Sequence, residues 1–127
     1  MINIAVGTQL DHFRIDRLVA SSKTSALYHA TDLNTGTPVA IKVPHINTAA
    51  DAVFAERFHR EEEIGTNLNH PGVMKVIPNP HHTGIYMVLE WIDGRLLRDV
   101  ISAEAPMAQE RAVHVARGIL EALDYIH

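Results

Sequence analysis

The chain has 127 residues, 46% of them hydrophobic, which is enough for one packed domain. Eleven basic against fifteen acidic residues give a formal charge of -4, and the scattered Lys and Arg form no stripe for a nucleic-acid backbone, so nucleic acid is not an expected partner. Without Cys there is no disulfide, thiolate nucleophile or zinc-thiolate centre, and the composition suits a reducing, cytoplasmic setting.

In chain order, the start Met1-Ile2-Asn3-Ile4-Ala5-Val6-Gly7 lacks the basic and long apolar regions of a secretion signal. Residues 13–19 and 25–31 read as strands with partial alternation, and 38–43 as a third after the turn Asn34-Thr35-Gly36-Thr37. A helix is expected over 51–68, with Thr48 or Asp51 as its N-cap, ending before Pro71-Gly72. Strands at 73–77 and 85–90 flank a turn at 78–84 whose two prolines exclude a ladder. These segments predict a five-stranded antiparallel sheet with one helix. After Asp93-Gly94 the pattern becomes helical: a short helix at 96–101 and a long one at 109–127, striped by Val113, Ala116, Ile119, Leu120, Leu123 and Ile126. The most apolar run, 85–92, contains Glu90 and is far shorter than the roughly 20 residues that span a bilayer, so no membrane segment is expected in this chain.

Within Val39-Ala40-Ile41-Lys42-Val43 a lysine stands where strand alternation calls for an apolar side chain. On the 51–68 helix, Phe54, Phe58, Gly65 and Leu68 share one face and Glu61 lies in its middle. Steps of about 100° turn Glu63 to solvent and leave Glu62 at the margin. An inward Lys42 is therefore expected to meet an inward Glu61. By itself such a pair is either a structural ion pair or a device that sets the position of a phosphate-neutralising cation.

The pair and its surroundings resemble the protein kinases, most closely the bacterial receptor-type serine/threonine kinases. The matching segments include Leu27-Tyr28-His29-Ala30-Thr31-Asp32, Arg60-Glu61, Leu68-Asn69-His70-Pro71 and Ile85 through Gly94. Leu97-Arg98-Asp99-Val100-Ile101 and Glu121-Ala122-Leu123-Asp124-Tyr125-Ile126-His127 extend the match, so that it runs from about Asp11 to the last residue. The resemblance implies an α+β fold: a kinase nucleotide lobe over 11–92, followed over 93–127 by the hinge end and the first two helices of the helical lobe.

It further implies that Lys42 holds the α- and β-phosphates of ATP and is itself held by Glu61, the candidate catalytic pair. Val19, Leu27 and Ala40 would cover the adenine, Leu89 would limit the depth of its pocket, and the Glu90 carbonyl and Ile92 amide would bond its edge. Residues Ala20, Ser22 and Ser25 fall at the three glycine positions of the family's phosphate loop, and none of the seven glycines lies between Leu18 and Tyr28. Each Cβ there raises the cost of bringing backbone amides onto a phosphate. The loop is then either a hydroxyl-lined phosphate contact with Lys23 nearby or an ordinary polar hairpin tip.

In the family, the aspartate that accepts the substrate proton and the Mg²⁺ ligands come after the point corresponding to His127. ATP binding by this chain alone is therefore expected to be weak or absent, with Mg²⁺ relevant only in a complete kinase, and no phosphoryl transfer is expected. The alternative from another class is a pseudokinase or interaction module with a degenerate loop. His81-His82 invites a metal reading, but neighbours on a strand point apart and no second ligand pair has zinc spacing, so no metal site is expected. His70-Pro71 is expected to make a structural contact. The stripe on 109–127 predicts a homo-oligomer through that helix.

Overall fold

The computed structural model describes residues 4–45, 51–80 and 83–127. Two compact units emerge: Met1–Asn67 with Lys75–Trp91, and Leu68–Met74 with Ile92–His127. The first is built on an antiparallel sheet of β1 (Gln9–Leu10), β2 (Phe13–Ser21), β3 (Ser25–Asp32), β4 (Pro38–Pro44), β5 (Val76–Ile77) and β6 (Met87–Glu90). Their order across the sheet is β1-β2-β3-β4-β6-β5. The sheet thus has six strands rather than five. The extra one, β1, is only two residues long, and two residues cannot display alternation.

Alternation in β3 sends Ala26, Tyr28 and Ala30 into the core, where they meet Phe13 and Ile15 of β2 and Val39, Ile41 and Val43 of β4. Ile4 and Leu10 pack against this face from the N-terminal segment. That segment is tied down by Gly7 N donating to Ile15 O at 2.7 Å and Ile15 N donating to Thr8 O at 2.9 Å. The β3–β4 turn closes as expected: Asp32 Oδ1 accepts the Asn34 amide at 2.9 Å, and Gly36 takes a φ of 74°, which its missing side chain permits.

The helix α1 (Asp51–Thr66) ends where Thr66 Oγ1 and Asn67 Nδ2 both donate to Glu63 O at 2.9 Å. Of the two N-cap candidates, Thr48 lies outside the described residues and Asp51 begins the helix. Near its end a Cβ on Gly65 would collide with Val76 Cγ2, so glycine allows the helix and β5 to approach. The structure corrects the expected orientation of the glutamates. Glu62, expected at the margin, is the buried one at 8% exposure, while Glu61 is exposed. Ala55, Phe58 and Glu62 line one side of a groove facing Ile85 and Tyr86, so the buried face is rotated by about one residue from the Phe54 stripe.

The strand expected at 73–77 is confined to β5, because Val73 N donates to His70 O at 3.0 Å in a turn that belongs to the second unit. That unit contains α2 (Leu97–Glu104) and α3 (Gln109–Ile126), joined by a two-pronged Arg111–Glu104 pair. The segment Leu68–Met74 is pinned to α3: Tyr125 Oη accepts the Asn69 amide at 2.8 Å, and the His70 ring lies 5.0 Å from that of Tyr125. His70 therefore makes the structural contact expected of it. Ala122 is the buried residue of α3, and Val113, Ile119, Leu120, Leu123 and Ile126 are exposed. Among the described residues no helix is long and apolar enough to cross a membrane.

Candidate nucleotide site

Paired residues on neighbouring strands share a face of the sheet. Lys42 pairs with Leu27 on β3 and Met87 on β6, and Ala40 pairs with His29 and Leu89. Leu27, Ala40, Lys42 and Leu89, four residues proposed from sequence, therefore line one face, opposite the core of Tyr28, Ile41 and Val88. Register alone brings them together.

At the end of this face Lys42 Nζ donates to Glu61 Oε1 at 3.0 Å, and it lies 5.9 Å from the Phe58 ring centroid. The pair forms with both side chains partly in water, 31% exposed for Lys42 and 58% for Glu61. Glu61 therefore reaches the lysine from the rim of α1 rather than from its buried face. Lys42 also borders an open cleft of about 230 Å³, whose other walls are Ala20, Ser21, Ser22, Ser25 and Leu27.

Val19 lies in a bulge, where the register of β2 and β3 shifts between Leu18 and Ala20, and is 39% exposed. The residue opposite Leu27 is Ala20. Glu90 closes the hinge end of β6: its amide donates to Lys75 O at 2.9 Å, and its carboxylate accepts the Lys75 amide at 3.1 Å. Ile92 begins the later segment of the second unit and is about half exposed. The pair His81-His82 lies outside the described residues; among those described, no three His, Cys, Asp or Glu side chains gather as metal ligands.

Two polar clusters in the first unit escaped the sequence reading. Asp16, at the first bulge of β2, accepts from Thr31 Oγ1 at 2.7 Å and Arg14 Nε at 2.9 Å, and lies 3.1 Å from His29 Nδ1. The Thr31 hydroxyl first, then Arg14, hold its carboxyl below the usual value. His29 in turn stands edge-on to Trp91 at 4.4 Å, with the Arg17 guanidinium 5.4 Å from that ring. The second cluster centres on Asp11, which accepts from the Tyr86 hydroxyl and from both the amide and the hydroxyl of Thr83. The Tyr86 bond is the main reason that the Asp11 carboxyl is held low, while burial and then Asp11 push the Tyr86 phenol up. A bulge and cross-strand pairing create the first cluster, and long-range contact between Asp11 and the 83–86 segment creates the second; the local hint to the first was polar residues alternating on 14–16 and 29–31.

The protein kinase domain model matches residues 13–127 of the chain. Serine/threonine-protein kinase PknB of Mycobacterium tuberculosis is 32% identical over 122 residues, which cover 92% of this chain and 20% of that protein. A probable serine/threonine-protein kinase of Streptomyces coelicolor, SCO3848, is 35% identical over 106 residues, covering 80% of this chain and 16% of the relative. The chain thus spans about one fifth of the length of these curated relatives. The crystal structure of the Mycobacterium tuberculosis PknI kinase domain shares the fold, with a TM-score of 0.79 at 23% identity over 98% of this chain and 51% of that one. The family model covers most of the sequence, and the antiparallel sheet with its packed helix is the fold shared with the solved kinase domain: the chain belongs to the protein kinase domain family.

Proposed function

We propose that the chain supplies the nucleotide-holding part of a serine/threonine protein kinase. The observation that carries this is the contact of Lys42 Nζ with Glu61 Oε1 at 3.0 Å, on the sheet face that also bears Leu27, Ala40 and Leu89. An apolar face of this kind accepts a purine, and a lysine anchored at its end neutralises phosphate oxygens. Glu61 positions the cation. Val19 and Ala20 are the β2 residues at hand to cover the base, and the Glu90 carbonyl is the assigned contact to its edge.

Magnesium serves the family's phosphoryl transfer. The described residues offer no cluster of carboxylates to hold it, so no step is assigned to Mg²⁺ in this chain. Lys42 and Glu61 orient phosphate; neither transfers it. Calorimetric titration of the chain with ATP, with and without Mg²⁺, is expected to show weak binding, with a Kd of about 1 mM, little changed by the metal. Lys42→Met should abolish it. A submicromolar affinity that requires Mg²⁺, or equal binding by Lys42→Met, would overturn the assignment.

A second reading, a kinase-like interaction module that binds no nucleotide, is favoured by the glycine-free hairpin between β2 and β3. The same titration separates the two: this reading requires no heat and no shift in melting temperature at any ATP concentration up to about ten times that Kd.

A further inference from the structure

The tip of the β2–β3 hairpin is folded onto itself. Ser22 Oγ accepts the amide of Thr24 at 3.3 Å and that of Ser25 at 3.2 Å, and lies 3.2 Å from Ser25 O. The Ser22 amide is also consumed, donating to Ser25 O at 2.8 Å. Three tip amides are thus committed inside the hairpin. The end of β4 then clamps it. His45 N donates to Thr24 O at 2.8 Å, and His45 Nε2 lies 3.1 Å from Ser22 O and 3.4 Å from Ser21 Oγ. A carbonyl only accepts, so that ring nitrogen carries the hydrogen.

The cleft beside Lys42 has Ser22 and Ser25 in its wall. Resting on the nucleotide-holding role proposed above, we propose that Ser22 is a specificity-determining residue. Its hydroxyl takes the amides that would otherwise meet an outer phosphate, leaving Lys42 as the phosphate anchor, so the site accepts nucleoside diphosphates and triphosphates alike. Glycine at this position removes the acceptor and the Cβ together, and frees the amides of Thr24 and of Ser25, a residue of the cleft wall. Hydrogen bonds from amides to an ionised phosphate are among the stronger ones in proteins. Their recovery favours the nucleotide with the extra phosphate.

The experiment compares ADP and ATP titrations of the full chain, its Ser22→Gly and Ser22→Ala variants, and Lys42→Met as the non-binding control. In parallel, hydrogen exchange of the Thr24 and Ser25 amides is followed without nucleotide. Wild type is expected to bind ADP and ATP within about twofold of each other, and Ser22→Gly to prefer ATP by roughly tenfold. In both variants the two amides should exchange about tenfold faster, at unchanged exchange in β3 and β4. Ser22→Ala keeps the Cβ and guards against misfolding of the glycine variant. Wild-type preference for ATP by tenfold, an unchanged ratio in Ser22→Gly, or unchanged amide exchange in both variants would each overturn the inference while leaving nucleotide binding intact. Failure of every protein to bind either nucleotide would instead remove the nucleotide-holding role, and this inference with it.

Discussion

Lys42 and Glu61 meet where water screens them, at side-chain exposures of 31% and 58%. An exposed pair of this kind contributes about 0–1 kcal/mol to folding. Glu61→Gln is therefore expected to move urea-unfolding stability by less than about 1 kcal/mol while weakening ATP binding several-fold, and a stability loss above about 2 kcal/mol would show a structural role instead. Tyr86 is the opposite case. It is 2% exposed, donates to Asp11 and accepts from Asn79 Nδ2 at 2.8 Å. Tyr86→Phe should cost about 1–3 kcal/mol, because the buried phenol gives up two hydrogen bonds at once, to the half-buried Asp11 and Asn79. The cost should depend on pH. The Asp11 carboxyl titrates below its ordinary 3.8 in the folded state, so its contribution is present above that value and lost as pH falls through the lowered one. Chemical denaturation from pH 7 to pH 2 is therefore expected to show the gap between wild type and Tyr86→Phe widest above about pH 4 and narrowing below it. A gap independent of pH would remove Asp11 from the account.

At the scale of elements, the packing of α1 on β5 rests on a missing side chain. A methyl on Gly65 would drive into Val76 Cγ2, and a β-branched valine has few rotamers through which to yield. Overpacking costs about 1–3 kcal/mol and the gain in helix propensity returns up to about 1, so Gly65→Ala should be destabilising by about 1–2 kcal/mol. Thermal unfolding tests this, and Gly65→Ala combined with Val76→Ala should recover part of the loss. A stabilised single variant would mean that the helix and strand are not in close contact. The rotation of α1 also shows where helical periodicity ran short. Phe54, Phe58 and Leu68 suggested one face, yet Ala55, Phe58 and Glu62 form the packed one. Two large aromatics weigh heavily in a sequence pattern, while a buried carboxylate weighs against it, so the pattern leaned to the wrong side of Phe58.

At the scale of the whole molecule, α3 carries an apolar stripe that its own unit leaves uncovered. Leu120 is 65% exposed, and Val113, Ile119, Leu123 and Ile126 between 45% and 49%. A groove of about 410 Å³ runs along Val113, Ala116 and Leu120. We propose that a second copy of this chain covers it. Burying about 400 Å² on each copy would yield roughly 10 kcal/mol per side before the opposing entropy of association. The total of about 800 Å² still falls short of the 1,200 Å² or so of a stable interface, so the association should be weak and concentration-dependent. Light scattering is expected to show the mean mass rising with concentration, and Leu120→Asp with Leu123→Asp to hold it at the monomer value. A monomer at all concentrations, unaffected by these substitutions, would reject the interface.

Much of this protein was legible from local signals. Strand alternation placed β3, Asn34-Thr35-Gly36-Thr37 placed the turn to β4, and Lys42 was paired with Glu61, although Glu61 reaches it from the rim of α1 and not from the inward face that helical periodicity assigned to it. These signals survive because side-chain period and turn chemistry act over a few residues, whatever the rest of the chain does. Tertiary structure decided the remainder. Strand register, not composition, put Leu27, Ala40 and Leu89 on the lysine's face. The bulges of β2 left Val19 without a ladder partner on β3 and set Ala20 opposite Leu27, and they turned Asp16 toward Thr31 and His29. The hairpin tip is the clearest instance. Its lack of glycine was visible in the residues, but where its amides went was not, since that depends on where a serine hydroxyl and a histidine just past the end of β4 come to rest in three dimensions.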